Sequence, residues 1–370
     1  MKKIVIVCPT SRNIVNFRKN LIKKFQESNY EVSAIVFDDK YFREIISMGV
    51  TPYLIADSNR SVNPFKIMSL KRKYVRTFKM INPDAVFTFM LKPNLFATCA
   101  AKIAGVKNVF SMVEGAGDVF GNNSFIWKII RKYCCYKYKK GFKCSDMVFF
   151  TNKDDKDEFV NLGLVIDEKT EVVHGIGVDI DFFQYKPIKN YNVFLMVSRM
   201  MKAKGVIDYC ESARIVRSQY PNALFNYLGG ENTLKIKDIQ EYIDDGSIKY
   251  LGKVDNVRPY YEECTVQVLP TYYREGLGLV NAEAGAVGRA TITCDVIGAR
   301  DTVVDGYNGV FVNPKDPMSL AEKMIFFLEN PKAAEKMGLN NRKFAEENFD
   351  QRKINQYIVD IINKYVENKS

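Results

Sequence analysis

With 370 residues, 47% of them hydrophobic and 26% charged, the chain carries enough apolar material for two globular cores. No apolar run approaches the roughly 18 residues of a membrane span, and the opening MKKIVIVCPTSRN is too short in its apolar part for a secretion signal. The formal charge of +11 is confined to one half: residues 1–187 hold 30 Lys and Arg against 19 Asp and Glu, residues 188–370 hold 24 against 24, and the first 150 alone hold 26 against 10.

The first half alternates short β-branched runs with helical spacing. Strands are expected at Ile4–Cys8, Val32–Phe37, Pro52–Ile55, Ala85–Phe89, Val109–Val113 and Met147–Phe150. Between them, helices are expected at Ile14–Phe25, Tyr41–Met48, Pro64–Met80, Leu95–Ala104, Phe125–Lys140 and Lys153–Leu162. Such alternation argues for a parallel, doubly wound sheet whose ligands gather at the carboxyl ends of the strands, here Pro9–Asn16, Met90–Asn94 and Glu114–Asp118. A stretch without periodicity, His174–Asn192, then separates a second alternation. Its strands are expected at Val193–Val197, Leu224–Leu228, Ile248–Leu251, Thr265–Leu269, Ala290–Thr293 and Gly309–Val312. Helices fall at Gly205–Ser218, Thr233–Tyr242 and Val257–Glu263, another opens at the glycines after Glu275, and Pro317–Glu329, Ala333–Phe349 and Arg352–Val366 end the chain. The expected architecture is α/β, two doubly wound Rossmann-like domains facing across a cleft. Residues 1–187 form the first, 188–350 the second, and 351–370 a helix that packs back toward the first.

The richest stretch for chemistry runs from Leu269 to Pro314. After a buried strand come Arg274, Glu275, Gly276, Leu277, Gly278 and Leu279, and then a helix carrying Glu283. A glycine-rich helix start offers unpaired N–H groups and the positive end of a dipole, which suits a diphosphate. An acidic side chain a turn or two further on can accept hydrogen bonds from a ribose. In VSRMMKAKGV, Arg199 follows a strand and Lys204 opens the next helix, so both cations lie at strand carboxyl ends and suit a diphosphate leaving group.

Taken together, S-R-x-x-x-x-K-G at 198–205, L-G-x-V at 251–254, E-G-x-x-x-x-x-x-E-A at 275–284 and G-A-R-D-x-V-x-D-G-x-N-G at 298–309 resemble family 4 glycosyltransferases. Members of that family are retaining enzymes of the GT-B fold. The resemblance implies that Arg199 and Lys204 bind the donor diphosphate, Glu283 the ribose hydroxyls, Glu275 the donor sugar, and the Gly276–Leu279 amides the phosphates, with Val254 against the base. In the first half, NFRKNLIKKF (16–25), MLKPNLFATCAAKIAGV (90–106) and VEGAGDVFG (113–121) are similar to bacterial transferases that build polysaccharides and undecaprenyl-diphosphate-linked oligosaccharides from UDP-N-acetylhexosamines. Relatives usually read GLG where this chain has Gly115-Ala116-Gly117.

On the acceptor side, Glu114 ends a strand beside a glycine turn, placed to orient or partly deprotonate a hydroxyl. A salt bridge to a nearby lysine such as Lys92 is the competing, purely structural account. Lys92 and Asn94 are further acceptor-side candidates, and Asn16 and Arg18 are expected to approach the diphosphate. The only histidine, His174, excludes a His-based triad and a multi-His metal site. Asp155-Lys156-Asp157 and Asp179-Ile180-Asp181 mimic a metal-binding D-x-D, but one opens a helix and the other lies in the interdomain segment. No cofactor is expected beyond the nucleoside-diphosphate sugar, and no metal is strictly required. Eight cysteines without metal-like spacing read as reduced thiols used as small core residues.

The basic half carries Lys128, Arg131, Lys132, Lys137, Lys139, Lys140 and Lys143 among Trp127, Tyr133, Tyr136, Tyr138 and Phe142. A second cluster holds Lys66, Lys71, Arg72, Lys73, Arg76 and Lys79. Cations interleaved with aromatics suit an anionic bilayer surface, so the expected place is cytoplasmic and peripheral on the inner membrane, with a lipid-linked saccharide as acceptor. No nucleic-acid-binding motif accompanies the charge. The alternatives are a nucleotide-sugar 2-epimerase on the same scaffold and a non-catalytic, basic membrane-surface protein.

Overall fold

The computed structural model describes residues 1–56, 64–121 and 124–368, without the side chains of residues 64–66 and 118. The chain divides into two compact units, Met1–Ile176 with Gln351–Ser370, and Gly177–Asp350; the sequence places that division at 187.

The N-terminal unit contains seven strands, β1 Lys2–Val7, β2 Tyr30–Val36, β3 Thr51–Leu54, β4 Ala85–Phe89, β5 Asn108–Val113, β6 Met147–Phe150 and β7 Thr170–Val172. They form one parallel sheet in the order β3-β2-β1-β4-β5-β6-β7. The central strands β1, β4, β5 and β6 are largely buried on both faces and read as nearly continuous apolar runs rather than as alternations. Its helices are α1 Ser11–Phe17, α2 Lys19–Glu27, α3 Phe42–Ser47, α4 Pro64–Ile81, α5 Leu91–Ile103, α6 Gly117–Gly121, α7 Phe125–Lys143 and α8 Lys153–Asn161.

In the C-terminal unit, β8 Val193–Val197, β9 Leu224–Leu228, β10 Lys249–Tyr250, β11 Val266–Leu269, β12 Ala290–Cys294 and β13 Gly309–Val312 form a second parallel sheet, ordered β10-β9-β8-β11-β12-β13. Helices α9 Val206–Gln219, α10 Gln240–Asp244, α11 Arg258–Glu263, α12 Leu279–Val287, α13 Pro317–Glu329 and α14 Pro331–Asn348 cover it. The last helix, α15 Gln351–Asn368, returns to the N-terminal unit. There Ile354, Ile358, Val359, Ile362 and Val366 join the core that holds Ile4, Ile6, Phe25 and Phe110. Burial of each such side chain is worth roughly 1.5–3 kcal/mol, so the end of the chain is a substantial part of the first core.

In each sheet the strand order reverses once, between β1 and β4 and between β8 and β11. In open α/β sheets, loops at the carboxyl ends beside such a reversal splay apart and leave a ligand crevice.

Several local expectations are corrected. The helix expected at Ile14–Phe25 is two, α1 and α2, broken at Arg18, whose backbone (φ −119, ψ −4) leaves the helix while its side chain turns inward. The helix expected at Thr233–Tyr242 shrinks to a 3-10 turn, Ile236–Asp238, and the short α10, because the Asp238 carboxylate accepts from the Lys235 N–H at 2.7 Å and caps a new start. Strand β7 and helix α6 are too short to show a period, and β7 is set by its pairing with β6. Helix α5 begins at Leu91 rather than Leu95, because Met90 adopts φ +67 and turns the chain at once. Lys92, Pro93 and Asn94 therefore lie in a buried first helical turn and not in a loop.

Candidate functional site

At the reversal point of the C-terminal sheet, the loop after β8 and the loop after β11 are tied together. The Tyr272 N–H donates to the Ala203 carbonyl at 2.9 Å, and the Thr271 hydroxyl donates to the same oxygen at 3.3 Å. Gly205 makes this approach possible: it adopts φ +76, and a Cβ there would stand 2.2 Å from the Pro270 carbonyl oxygen. The consequence is an ion pair between the Lys204 ammonium and the Glu275 carboxylate, each side chain 11% exposed, with the same carboxylate 3.2 Å from the Thr271 hydroxyl as its alternative acceptor. Burial holds the Lys204 ammonium below its ordinary range despite Glu275, and the charge of Arg199 pushes the same way. Arg199 is exposed, and its guanidinium lies 6.0 Å from the Tyr273 ring centre, with Lys204 Nζ at 5.4 Å. Two cations thus share one aromatic neighbour, and Tyr273 is a site residue the sequence did not single out. Its only sequence signal is its place in the loop between Thr271 and Glu275.

Glu275 is also held from behind. Its N–H donates to the Ile297 carbonyl at 3.1 Å, and a Cβ on Gly298 would stand 2.4 Å from the Glu275 carbonyl oxygen. The amides of Gly276–Leu279 are not equally available. Gly278 N–H donates to the Gly298 carbonyl at 2.9 Å and Leu279 N–H to the Leu277 carbonyl at 2.8 Å. Two members of the expected phosphate-binding set are therefore already engaged with carbonyls. Val254, Leu277 and Leu279 are partly buried against one apolar cluster.

One turn into α12, Glu283 accepts from the Tyr261 hydroxyl at 3.0 Å. Burial pushes its carboxyl up to about 7, partly offset by that hydrogen bond. Tyr261, fully buried on α11, is a second partner that no sequence signal marks. The adjoining Arg289 is equally buried and spends its guanidinium on the carbonyls of Tyr261, Lys186 and Glu262 at 2.7–2.8 Å, which makes it a brace for this corner.

In the N-terminal unit the carboxyl ends of β1, β4 and β5 also converge. Asn13 Nδ2 lies 3.0 Å from the Met90 sulfur, joining the loops after β1 and β4. Arg18 and Glu114 form an ion pair, with the Arg18 side chain 3% exposed and its guanidinium 4.1 Å from the Phe89 ring centre. The partner of Glu114 is thus Arg18, not the Lys92 of the structural alternative. Among the described residues, Arg18 Nε is buried without a hydrogen-bond acceptor. Lys92 is buried, with Nζ 5.9 Å from the Phe37 ring centre. Asn94 is fully buried and spent: its Nδ2 donates to the Met112 carbonyl at 2.7 Å and its Oδ1 accepts from the Thr88 hydroxyl at 2.7 Å. It braces β4 and β5. Asn16 lies exposed on α1.

Asp155 takes a different part from the metal-binding D-x-D it mimics. Fully buried at the start of α8, it accepts from the Ala116 N–H at 3.0 Å and from Asn152 Nδ2 at 3.1 Å. It thereby holds the Gly115-Ala116-Gly117 turn, both of whose glycines have positive φ, directly after Glu114.

The basic helices differ in what they expose. On α7, Phe125, Ile126 and Ile129 are each more than half exposed, next to the exposed Lys128 and Lys132. Helix α4 has no acidic residue, and Lys71, Arg72, Arg76 and Lys79 line a groove of about 580 Å³ floored by Met68, Val75 and Ile103. The side chain of Lys66 lies outside the described residues. Among those residues no helix is long and apolar enough to cross a membrane.

Comparison with known proteins agrees with this geometry. Residues 178–344 match the sequence family described as glycosyl transferases group 1. The chain is 27% identical over 373 residues to the N,N'-diacetylbacillosaminyl-diphospho-undecaprenol alpha-1,3-N-acetylgalactosaminyltransferase of Campylobacter jejuni, covering 96% of this chain and 97% of that one. Among solved structures, a glycosyltransferase from Rickettsia africae superposes with a TM-score of 0.81 at 18% identity, over 99% of each chain. HepE of Anabaena, in complex with UDP and glucose, superposes with a TM-score of 0.79 at 17% identity, over 98% of this chain and 100% of that one. These findings favour transfer over the epimerase and the non-catalytic alternatives. Residues 178–344 are thus similar to the group 1 glycosyl transferases, and the chain is a glycosyltransferase of GT-B architecture.

Proposed function

We propose that this glycosyltransferase is a retaining enzyme that moves an N-acetylhexosamine from a UDP-sugar to a saccharide carried on undecaprenyl diphosphate, in the assembly of a bacterial surface glycan. The observation that carries the reading is the Lys204–Glu275 pair at the reversal point of the second sheet, with Arg199 beside it. Lys204 and Arg199 neutralise the diphosphate as it departs, and Glu275 aligns the donor sugar. Glu283 receives the ribose hydroxyls, Val254 borders the base, and the first turn of α12 adds its dipole. Charge on the leaving group is met by these two cations, so no metal is required. The acceptor hydroxyl attacks the face from which the diphosphate leaves: the bond from C1 to the phosphate oxygen breaks, the new glycosidic bond forms, and the hydroxyl proton passes to the departing phosphate. The donor and acceptor classes are supported by the names of the Campylobacter relative and of the Anabaena complex.

On the acceptor side the reading uses Glu114, held by Arg18, together with Lys92, and it keeps Asn16 for the donor diphosphate. The exposed apolar end of α7 and the cationic groove of α4 suit a peripheral position on the anionic cytoplasmic face of the inner membrane, at about 1 kcal/mol for each well-placed cation.

Thermal unfolding in the presence of a panel of sugar nucleotides tests the donor, because a ligand that binds the native state raises its stability. UDP-N-acetylhexosamines are expected to raise the midpoint most, in EDTA as well as in magnesium. Incubation with an undecaprenyl-diphosphate-linked saccharide is then expected to yield an α-linked product by NMR. Absence of stabilisation by any nucleoside-diphosphate sugar, or conversion of the sugar nucleotide without an acceptor, would overturn the proposal. Sedimentation with phosphatidylglycerol vesicles tests the membrane face. Replacing Lys71, Arg72, Arg76 and Lys79 with Ser is expected to weaken binding by about 10²-fold or more.

A further inference from the structure

Helices α5 and α7 pack closely: a Cβ on Gly141 would stand 2.4 Å from the Asn94 carbonyl oxygen. Beside this contact, Cys99 on α5 meets Cys144, the residue that caps the C-terminal end of α7, with their sulfurs 3.0 Å apart. Both are free thiols and both are half-buried. Cys99 Sγ also lies 3.3 Å from the Lys140 carbonyl oxygen, and its charged neighbours are Lys71 of α4 and Lys140 of α7; those of Cys144 are Lys71 and Lys102. Forty-five positions separate the two cysteines, so no short motif announces the pair.

We infer that Cys99 and Cys144 form an oxidisable dithiol, a modification site at which a low-molecular-weight disulfide closes a covalent bond between α5 and α7. The sulfurs need approach by only about 1 Å to reach the roughly 2.05 Å of a disulfide bond. Their chemistry is asymmetric. The Cys144 S–H donates to Cys99, and with Lys71 and Lys140 it holds Cys99 below the ordinary thiol range despite burial, while Cys144, as the donor, is pushed up. Cys99 is therefore the attacking thiolate. It displaces one thiolate from the small disulfide, which takes up a proton, and is left as a mixed disulfide. Cys144 then loses its proton to solvent, attacks Cys99 Sγ and expels the second small thiol. Two protein thiols are oxidised, and one disulfide is reduced to two thiols. Elsewhere burial works against such chemistry: the thiols of Cys8, Cys210, Cys264 and Cys294 are pushed up to about 12.

The test incubates the full chain with oxidised glutathione near pH 7.5 and follows intact mass and peptide maps. The expected result is a loss of about 2 Da and a cross-linked peptide pair containing Cys99 and Cys144, reversed by dithiothreitol. Cys144→Ser is expected to stop at a stable glutathione adduct on Cys99, and Cys99→Ser to give neither product. Alkylation rates on the unmodified protein provide a second measure that needs no variant, with Cys99 expected to react at least about tenfold faster than Cys135, the other half-buried thiol. Equal rates at Cys99 and Cys135, a bond mapped to Cys134 and Cys135, or unchanged mass under oxidation would overturn the inference.

Discussion

Each unit sets a cation against a carboxylate near the carboxyl ends of its strands, and the two pairs differ in burial and in company. In Lys204–Glu275 both partners keep some exposure, Arg199 stands open beside them, and the surrounding loops are pinned by glycines and backbone hydrogen bonds. In Arg18–Glu114 the carboxylate is 20% exposed but the cation is almost wholly enclosed and lies over Phe89, and among the described residues its Nε has no acceptor. Similar chemistry in the two places therefore has different meaning. Under the proposed function the second unit offers its charges to an incoming diphosphate, whereas in the first Arg18 grips the Glu114 carboxylate and donates to the Phe17 carbonyl.

Breaking the enclosed pair is the largest expected effect. Glu114→Gln strands a buried guanidinium and is expected to cost about 3–5 kcal/mol in urea unfolding. Replacing Arg18 with Met in the same chain should restore most of that stability. A Glu114→Gln variant of normal stability that has lost transfer would instead give Glu114 a purely chemical role and erase the contrast.

For the Lys204–Glu275 pair and the exposed Arg199 the expected loss is in rate. Arg199→Ala or Lys204→Ala should lower transfer by about 10²-fold or more and weaken the stabilisation conferred by UDP. Near-normal turnover in both variants would remove these residues from the site.

Asp155→Ala sharpens the comparison, because it disturbs Glu114 without touching the ion pair. It removes the acceptor for the buried Ala116 N–H, at a cost of roughly 1–3 kcal/mol. The kcat for acceptor transfer should fall while UDP binding stays unchanged, as calorimetry would show.

The smallest effect is on pH dependence. With the Glu283 carboxyl pushed up to about 7, the native state holds a proton that the unfolded chain releases near 4.5. This group therefore lowers stability as pH rises from about 4.5 to 7, and Glu283→Gln should flatten that part of the stability profile. Ribose hydroxyls donating to the ionised carboxylate would reverse the preference. UDP binding is then expected to tighten between pH 6 and 8 with release of a proton, measured by calorimetry in buffers of different ionisation enthalpy. An affinity independent of pH over that range would contradict the ribose role of Glu283.

Legibility in the sequence followed the range of the interactions involved. Residues 193–313 carry their chemistry in short, glycine-punctuated motifs, because loops at adjacent strand ends need only local turns to face one another. Lys204 and Glu275 were therefore readable 71 positions apart, each from its own loop. The bracing part of Asn94 was not legible: only the early start of α5 at Leu91 places its amide between Met112 and Thr88. Tyr261, Tyr273 and Asp155 act through contacts with residues elsewhere in the chain, and their neighbours in sequence do not reveal them.

By itself the sequence determined the two parallel α/β sheets, nearly all their strands, and the basic character of one half, because periodicity and charge are properties of short windows. Only the tertiary structure decided that Arg18 leaves its helix to grip Glu114 and that Cys99 meets Cys144. Those outcomes depend on which buried charges and thiols find partners once distant segments are brought together, and no local pattern encodes that choice.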